Sequence, residues 1–308
     1  MESQVELYKY LKVKPNAVIS LEIGGGNGLQ GLILGASTNM DIPTIDGDWM
    51  GRAYPVSNQT TPVVYEKKAM MFMMKAKTEL DVERAFRAAL SQMGSHVGCA
   101  KGPVSGANTK SWVVENTISL SWRIGRAVAL CICQNSIDTV AESIIGEVGG
   151  SASAKVLFKG KIVGVERVTR MGHAYGEVII EATTPEDGSP QSTQAKPRGP
   201  TEKLKIPFKN ENILATKIDS SGEEQIIAMV PDLITVLDAQ NGEALGTQEY
   251  RYGLLVTVLG ITASEKWTST ERGIEIGGPK GFGINDLDYV PLGKFEKPRS
   301  VIDEYNTT

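Results

Sequence analysis

The chain has 308 residues and a mass of 33.2 kDa, with 41% hydrophobic and 22% charged residues, the balance of a globular protein with room for two domains. A net charge of -4 and a pI near 5.5, without any Lys/Arg block or aromatic-basic interleaving, exclude a nucleic-acid backbone as the natural partner. No apolar run reaches the roughly 18 residues a membrane span needs, and no secretory leader pattern opens the chain, so a small-molecule or protein partner in the cytoplasm is the expectation.

Residues 1–16 are polar and rich in Tyr and Lys. Ala17 to Ile23 then reads as a strand running into Gly24-Gly25-Gly26-Asn27-Gly28, followed by the short apolar helix LQGLILGAS and a second strand over Ile42 to Ile45. Residues 17–48 thus have the form of a β-loop-α-β unit. Gly26-x-Gly28-x-x-Gly31 meets the dinucleotide fingerprint, with Asp46 where a ribose-binding acid would stand, so nicotinamide-dinucleotide binding is a remote alternative. A nest of backbone N–H groups ahead of a helix is the better fit, and suits a carboxylate or a developing oxyanion. Glu22 and Asn27 flank it; Glu22 is costly there unless paired, for instance with Arg52.

The chemistry concentrates in DIPTIDGDWMGRAYP, residues 41–55, where an apolar run ends in Asp46 and Asp48 with Arg52 close behind. A strand that stops at Asp-Gly-Asp presents its acids at the carboxyl end of the sheet, the ligand side of open α/β sheets. The plain alternative is an Asx-type turn with a surface Arg.

The next stretch, residues 56–77, is Met-rich and reads as adaptable core. A helix is expected from Thr78 through Met93 to Gly94, and a glycine-rich loop over residues 98–110, with Lys101 as an anion contact. Thr117 reads as the N-cap of a helix carrying ISLSWRIGRAVALC, with Arg123 and Arg126 solvated, and Ser136 as the cap of another. Cys99, Cys131 and Cys133 read as reduced thiols. Cys131 and Cys133 sit in an apolar run and are expected to be buried and inert, and Cys99 is the more accessible nucleophile candidate.

From Ala154 the pattern changes to successive β-type runs, with Asn241-Gly242 as a hairpin turn. The expected class is therefore α+β and multi-domain: an α/β domain with parallel strands over 1–150, and a mainly antiparallel β domain over 151–308 that carries a disordered loop near 185–203. Polar clusters interrupt the β half at the Arg170 to Gly176 loop with His173, at Asn210-Glu211-Asn212, at Pro231-Asp232 and at the glycine loop Gly277 to Gly283. His96 and His173 are the only histidines, which leaves no His/Cys zinc cage, while a carboxylate-plus-His site stays open.

EIGGGNG, DGDWMGRAYP with QTTP behind it, KGKIVGVER, FKNENILA, VPDLITVLDAQNGEAL and GGPKGFG, in that order, resemble the S-methyl thiohydantoin desulfurase family of the hydantoinase/oxoprolinase systems. The resemblance covers residues 17 to 292. It implies an amino-terminal α/β domain, a carboxyl-terminal β domain and chemistry on a five-membered cyclic ureide or thiohydantoin ring, in systems where relatives are fused to or encoded beside hydantoinase/oxoprolinase subunits. Two departures stand out. Relatives ordinarily carry a further amino-terminal portion with its own glycine run, so this chain is expected to be a fragment; and His173 and Tyr175 stand where relatives tend to have Phe and Arg, which bears on substrate choice.

The expected reaction is hydrolysis at the ring carbon between two nitrogens, which needs a base, donors for developing negative charge and an acid for the leaving thiol or nitrogen. Asp46 or Asp48 is the base, or the ligand of a divalent metal, and Arg52 orients a substrate carboxylate. The amides of Gly24, Gly25, Gly26 and Gly28 with Asn27 supply donors; Glu22, His173, Glu211, Asn212 and Asp232 complete the candidate substrate contacts. The rival expectation is a non-catalytic binding or assembly module for a hydantoinase/oxoprolinase subunit, and a homo-oligomer is compatible with either.

Overall fold

A computed structural model describes residues 2–66, 84–85, 87–88, 100–170, 172–183 and 201–306. The expected Met-rich core beyond Glu66, most of the Thr78 to Gly94 helix, His96, Cys99 and nearly all of the 185–203 loop lie outside the described residues. Two compact units are present: unit 1 takes Met1–Ser121, Ser264–Ile276 and Lys297–Thr308, and unit 2 takes Trp122–Ala263 and Gly277–Glu296. Among the described residues, no helix is long and apolar enough to cross a membrane.

Unit 1 begins with a helix the composition gave no reason to expect, α1 (Glu2–Leu11), which buries Leu7. Strand β1 (Val18–Ser20), helix α2 (Gly25–Gly35) and strand β2 (Thr44–Asp48) follow, with β1 and β2 parallel, as the β-α-β pattern requires. The short strand β3 (Val114–Glu115) adds antiparallel to β2. Helices α3 (Thr61–Glu66) and α4 (Gly106–Trp112) belong here; the latter occupies the end of the expected glycine-rich loop because Ser105 caps it, accepting from the Asn108 N–H. The first strand is shorter than Ala17 to Ile23. Four of the five glycine-run residues, Gly25 to Gly28, form the first turn of α2 rather than a loop, and Asp46 and Asp48 lie within β2 rather than beyond it.

The glycines of α2 answer to packing. A Cβ on Gly31 would stand 2.7 Å from Ser20 Oγ, and one on Gly35 would stand 2.3 Å from Thr44 Oγ1 and 2.8 Å from Ile42 O. Gly31 and Gly35 are one turn apart, so the helix lies with bare backbone against β1 and β2. Ser20 and Thr44 then bond it directly: Ser20 Oγ donates to Gly28 O at 3.0 Å, and Thr44 Oγ1 donates to Gly31 O at 3.0 Å.

Helix α5 (Thr117–Cys133) starts in unit 1 and continues in unit 2, where α6 (Val140–Glu147) follows. Arg123 is buried rather than solvated, and Cys133 is exposed although its neighbour Cys131 is buried. Both departures follow from one helix face turning inward while its opposite face meets water.

Unit 2 is built on a nine-stranded sheet of order β11-β10-β12-β4-β5-β6-β8-β9, with β7 paired to β6. The strands are β4 (Ala154–Arg170), β5 (His173–Ala182), β6 (Lys203–Lys209), β7 (Glu211–Asn212), β8 (Leu214–Ile218), β9 (Glu224–Met229), β10 (Leu233–Asp238), β11 (Ala244–Leu245) and β12 (Leu255–Ile261). All its pairings are antiparallel. In β6, Leu204, Ile206 and Phe208 point inward by the two-residue period, and with Ile162, Val178, Ile180, Val236 and Val258 they make the core. The turn at Asn241-Gly242 joins β10 to β11, with Gly242 at φ +74°. Arg170 to Gly176 is largely strand: His173, Ala174, Tyr175 and Gly176 are strand residues, and Arg170 pairs with His173. The short helices α7 (Glu265–Thr268) and α8 (Glu271–Gly277) follow the sheet, and α9 (Val301–Asn306) closes the chain.

Gly35→Ala should lower stability by roughly 1–3 kcal/mol, because the new methyl meets the Thr44 hydroxyl and the Ile42 carbonyl. Gly26→Ala, with open space at its Cβ, should gain about 0.5–1 kcal/mol from helix propensity. Urea denaturation of both variants checks the pair.

Candidate functional site

The carboxyl ends of β1 and β2 lie side by side, with Ser20 opposite Asp48. Asp48, the last residue of β2, is fully buried. Its Oδ2 accepts backbone N–H groups from Ile23 (3.1 Å), Met50 (3.0 Å) and Gly51 (2.7 Å). One oxygen thus holds both the chain leaving β1 and the turn that follows β2. Oδ1 is buried without a well-formed hydrogen bond, as is the hydroxyl of Thr117. Burial pushes the Asp48 carboxyl up to about 7; the three N–H groups and the Thr117 hydroxyl, which favour the ionised form, hold it back.

Around this point the polar groups form one cluster. Glu22 is 9% exposed and accepts from Asn27 Nδ2 at 2.6 Å and from the Tyr54 N–H at 3.4 Å. Burial raises its pKa, opposed by those two donors and by the charge of Lys101. The partner expected from sequence, Arg52, instead places its guanidinium 5.0 Å from the Tyr54 ring centroid and donates Nε to Ala53 O at 3.1 Å. Tyr54 packs on Trp267 with centroids 4.7 Å apart, and Trp267 Nε1 donates to Met50 O at 2.6 Å. Gly24 lies against Ala53, and Gly25, Gly26 and Asn27 are exposed at the amino end of α2. Glu22, Gly24, Asn27, Asp48 and Arg52 therefore share one place.

Asp46 is turned to a different task. Its carboxylate accepts from the Ser119 N–H at 3.0 Å and from the Ser119 hydroxyl, capping the first turn of α5 from a neighbouring strand. Ser119 Oγ in turn accepts the Val301 N–H at 2.9 Å, while Asn116 Nδ2 donates to Pro298 O at 2.7 Å and Lys297 pairs with Glu115. The two acids both face the start of α5 and do not form a carboxylate pair poised over one ligand.

These engagements bear on two expectations, the metal and the dinucleotide. Three N–H groups already bind Asp48 Oδ2 and two donors bind the Asp46 carboxylate, which leaves Asp48 Oδ1 as the oxygen without a well-formed hydrogen bond. Among the described residues there is no group of three or more His, Cys, Asp or Glu able to hold a metal. Of the glycines in the dinucleotide fingerprint, Gly26 and Gly28 are already helical and Gly31 serves the close helix–strand packing that the third glycine of such a fingerprint serves, while Asp46 is engaged by Ser119.

The remaining candidates belong to unit 2. His173 is buried, with Nδ1 3.3 Å from Asn210 Nδ2 and its ring edge-on to Tyr175 at 6.1 Å. Glu211, half-buried, pairs with Lys209 across β7 and β6. Asn212 donates to Ile234 O at 2.9 Å and bonds the Tyr250 hydroxyl at 2.8 Å, and burial raises the Tyr250 pKa. Asp232 is fully buried and accepts from Ala263 N (2.7 Å), Tyr289 Oη (3.0 Å) and Leu292 N (2.7 Å), fastening residues 289–292 to the start of β10. Of the groups missing from the sequence-based site, Thr117, Ser119 and Tyr54 matter most; Thr117 carried only the signal of a helix start.

The folded protein keeps the Asp48 proton that the unfolded chain gives up near 3.8. It therefore binds more protons than the unfolded chain between pH 4 and about 7, and stability falls as pH rises across that window, then levels off. Asp48→Asn keeps the shape without the titration, and should remove a pH-dependent loss of roughly 2–3 kcal/mol between pH 5 and pH 8, read from denaturation midpoints at those two pH values. Ser119→Ala, which loses the hydroxyl shared by Asp46 and Val301, should cost about 1–2 kcal/mol by the same measurement.

A crystal structure of a protein from Chromobacterium violaceum is similar, with a TM-score of 0.65 at 17% identity over 94% of this chain and 76% of that one, a likeness of fold. No curated protein matches the chain. Residues 1–82 match the family description S-Me-THD-like, N-terminal domain, and residues 77–292 match S-Me-THD-like, C-terminal domain. With both parts present in order, the chain belongs to the S-Me-THD-like family, the S-methyl thiohydantoin desulfurase group.

Proposed function

We propose that the chain acts on a five-membered cyclic ureide or S-methyl thiohydantoin ring, by hydrolysis at the carbon between the two ring nitrogens. The observation that carries this is the Asp48 carboxyl, pushed up to about 7, so that acid and base forms coexist at neutral pH. A group in that state can take a proton from water and return one to a leaving thiol or nitrogen. The amino end of α2 supplies donors for developing negative charge, since the N–H groups of Gly25, Gly26 and Asn27 precede the first intrahelical bond, from Gly28 N to Gly24 O. Arg52 is assigned to the substrate carboxylate. Asp48 is fully buried, so the reaction requires local opening on its Oδ1 side, where no backbone N–H is held.

One observation favours the second reading, a binding or assembly module for a hydantoinase/oxoprolinase subunit. Helix α2 carries no charged residue, and Leu29, Leu32 and Ile33, at helical spacing, are 56%, 46% and 49% exposed.

Turnover of an S-methyl thiohydantoin and of a plain hydantoin by the purified chain separates the two. On the enzyme reading, folded Asp48→Asn should lose about 10²–10⁴-fold in kcat. Absence of turnover by the folded wild-type chain sinks that reading. The module reading then predicts that Leu32→Glu abolishes co-purification with such a subunit while leaving the fold intact.

A further inference from the structure

The two oxygens of Asp48 have unlike surroundings. Oδ2 accepts three backbone N–H groups, so it has no room for a hydrogen of its own. Oδ1 accepts none of them, and the Thr117 hydroxyl, buried and equally without a well-formed bond, acts on the Asp48 carboxyl. The backbone holds the two side chains together, because Asp48 ends β2, Val114 of β3 pairs with Asp48, and α5 begins with Thr117 three residues later. Two buried oxygens left over on elements held together in this way call for a shared proton.

We infer that Thr117 is the positioning residue for Asp48: its hydroxyl is the partner of Oδ1 in both protonation states, accepting the carboxyl proton when Asp48 is neutral and donating its own when Asp48 is ionised. A hydroxyl carries a donor and acceptors on one atom and rotates to present either. Reversal of this one bond lets Asp48 gain or lose a proton while the three N–H bonds on Oδ2 stay in place. The charged groups on the surrounding elements are Glu22 after β1, Asp46 on β2, Arg52 in the following turn, Glu115 on β3 and Arg123 on α5. None of them is among the causes acting on Asp48, which are burial, the backbone donors and Thr117. The inference deepens the acid–base reading above and rests on that reading only for its effect on turnover.

The test follows the Asp48 carboxyl carbon by ¹³C NMR across pH in wild type, Thr117→Val and Thr117→Ser, with Asp48→Asn to assign the resonance. Valine keeps the shape and removes the hydroxyl, so the proton affinity of Asp48 should rise about tenfold, and serine should return it to within about twofold of wild type. If turnover is present, its pH–rate limb should move with the same midpoint. An unmoved midpoint in folded Thr117→Val, or a serine variant that behaves like valine, overturns the inference. Should Thr117→Val not fold, wild type carries the test. Its Thr117 hydroxyl proton should exchange slowly and shift with the Asp48 midpoint; a proton that exchanges freely, or ignores Asp48, overturns it. Because the titration is read without substrate, its outcome is independent of whether the ring is turned over.

Discussion

Three backbone N–H groups converging on one carboxylate oxygen hold the first unit in shape. Asp48 Oδ2 joins Ile23, just after β1, to Met50 and Gly51, just after β2. Everything that gives this region chemical character hangs from those two departures: Glu22 sits one residue before Ile23, and Arg52 and Tyr54 follow Gly51. A surface carboxylate could make the same turn, but a buried one makes it in a low dielectric, where losing a donor is costly. The same burial keeps the proton of Asp48 within reach of neutral pH. Structure and reactivity therefore share a single cause here.

The neighbouring acid shows how position alone divides two like residues. Asp46 and Asp48 stand on the same side of one strand, two residues apart. One meets a helix N–H and a serine hydroxyl; the other meets a turn and an enclosed threonine. The helix start that both approach attracts negative charge in either case. Only the environment separates a cap from an acid–base candidate.

Much of this was legible in the residues. Alternation in KVLFKGKIVGVERVT and LKIPF gave the antiparallel sheet, because a half-buried strand leaves a two-residue period behind it. The β-α-β order gave the parallel pair. The glycine run misled, since glycine is the ordinary mark of a loop, yet Gly25, Gly26 and Gly28 lie in the first turn of α2. Likewise the Arg170 to Gly176 stretch looked like a loop because polar and glycine residues are common both in loops and at hairpin tips. Long-range partners were out of reach: nothing local to TIDGD announces that Ser119 or Thr117 will lie against it, for that depends on β3 adding beside β2.

The hold on residues 297–306 bears on how the chain comes off the ribosome. Pro298 and Val301 are fastened to Asn116 and Ser119, and Ser264–Ile276 also belongs to the first unit. The first unit therefore lacks some of its own parts until residues 264–276 and 297–306 have been made. The sheet of the second unit, by contrast, draws its strands from the continuous stretch Ala154 to Ile261 and has them all earlier. During synthesis the earlier segment of the first unit must wait on segments made after the strands of the second.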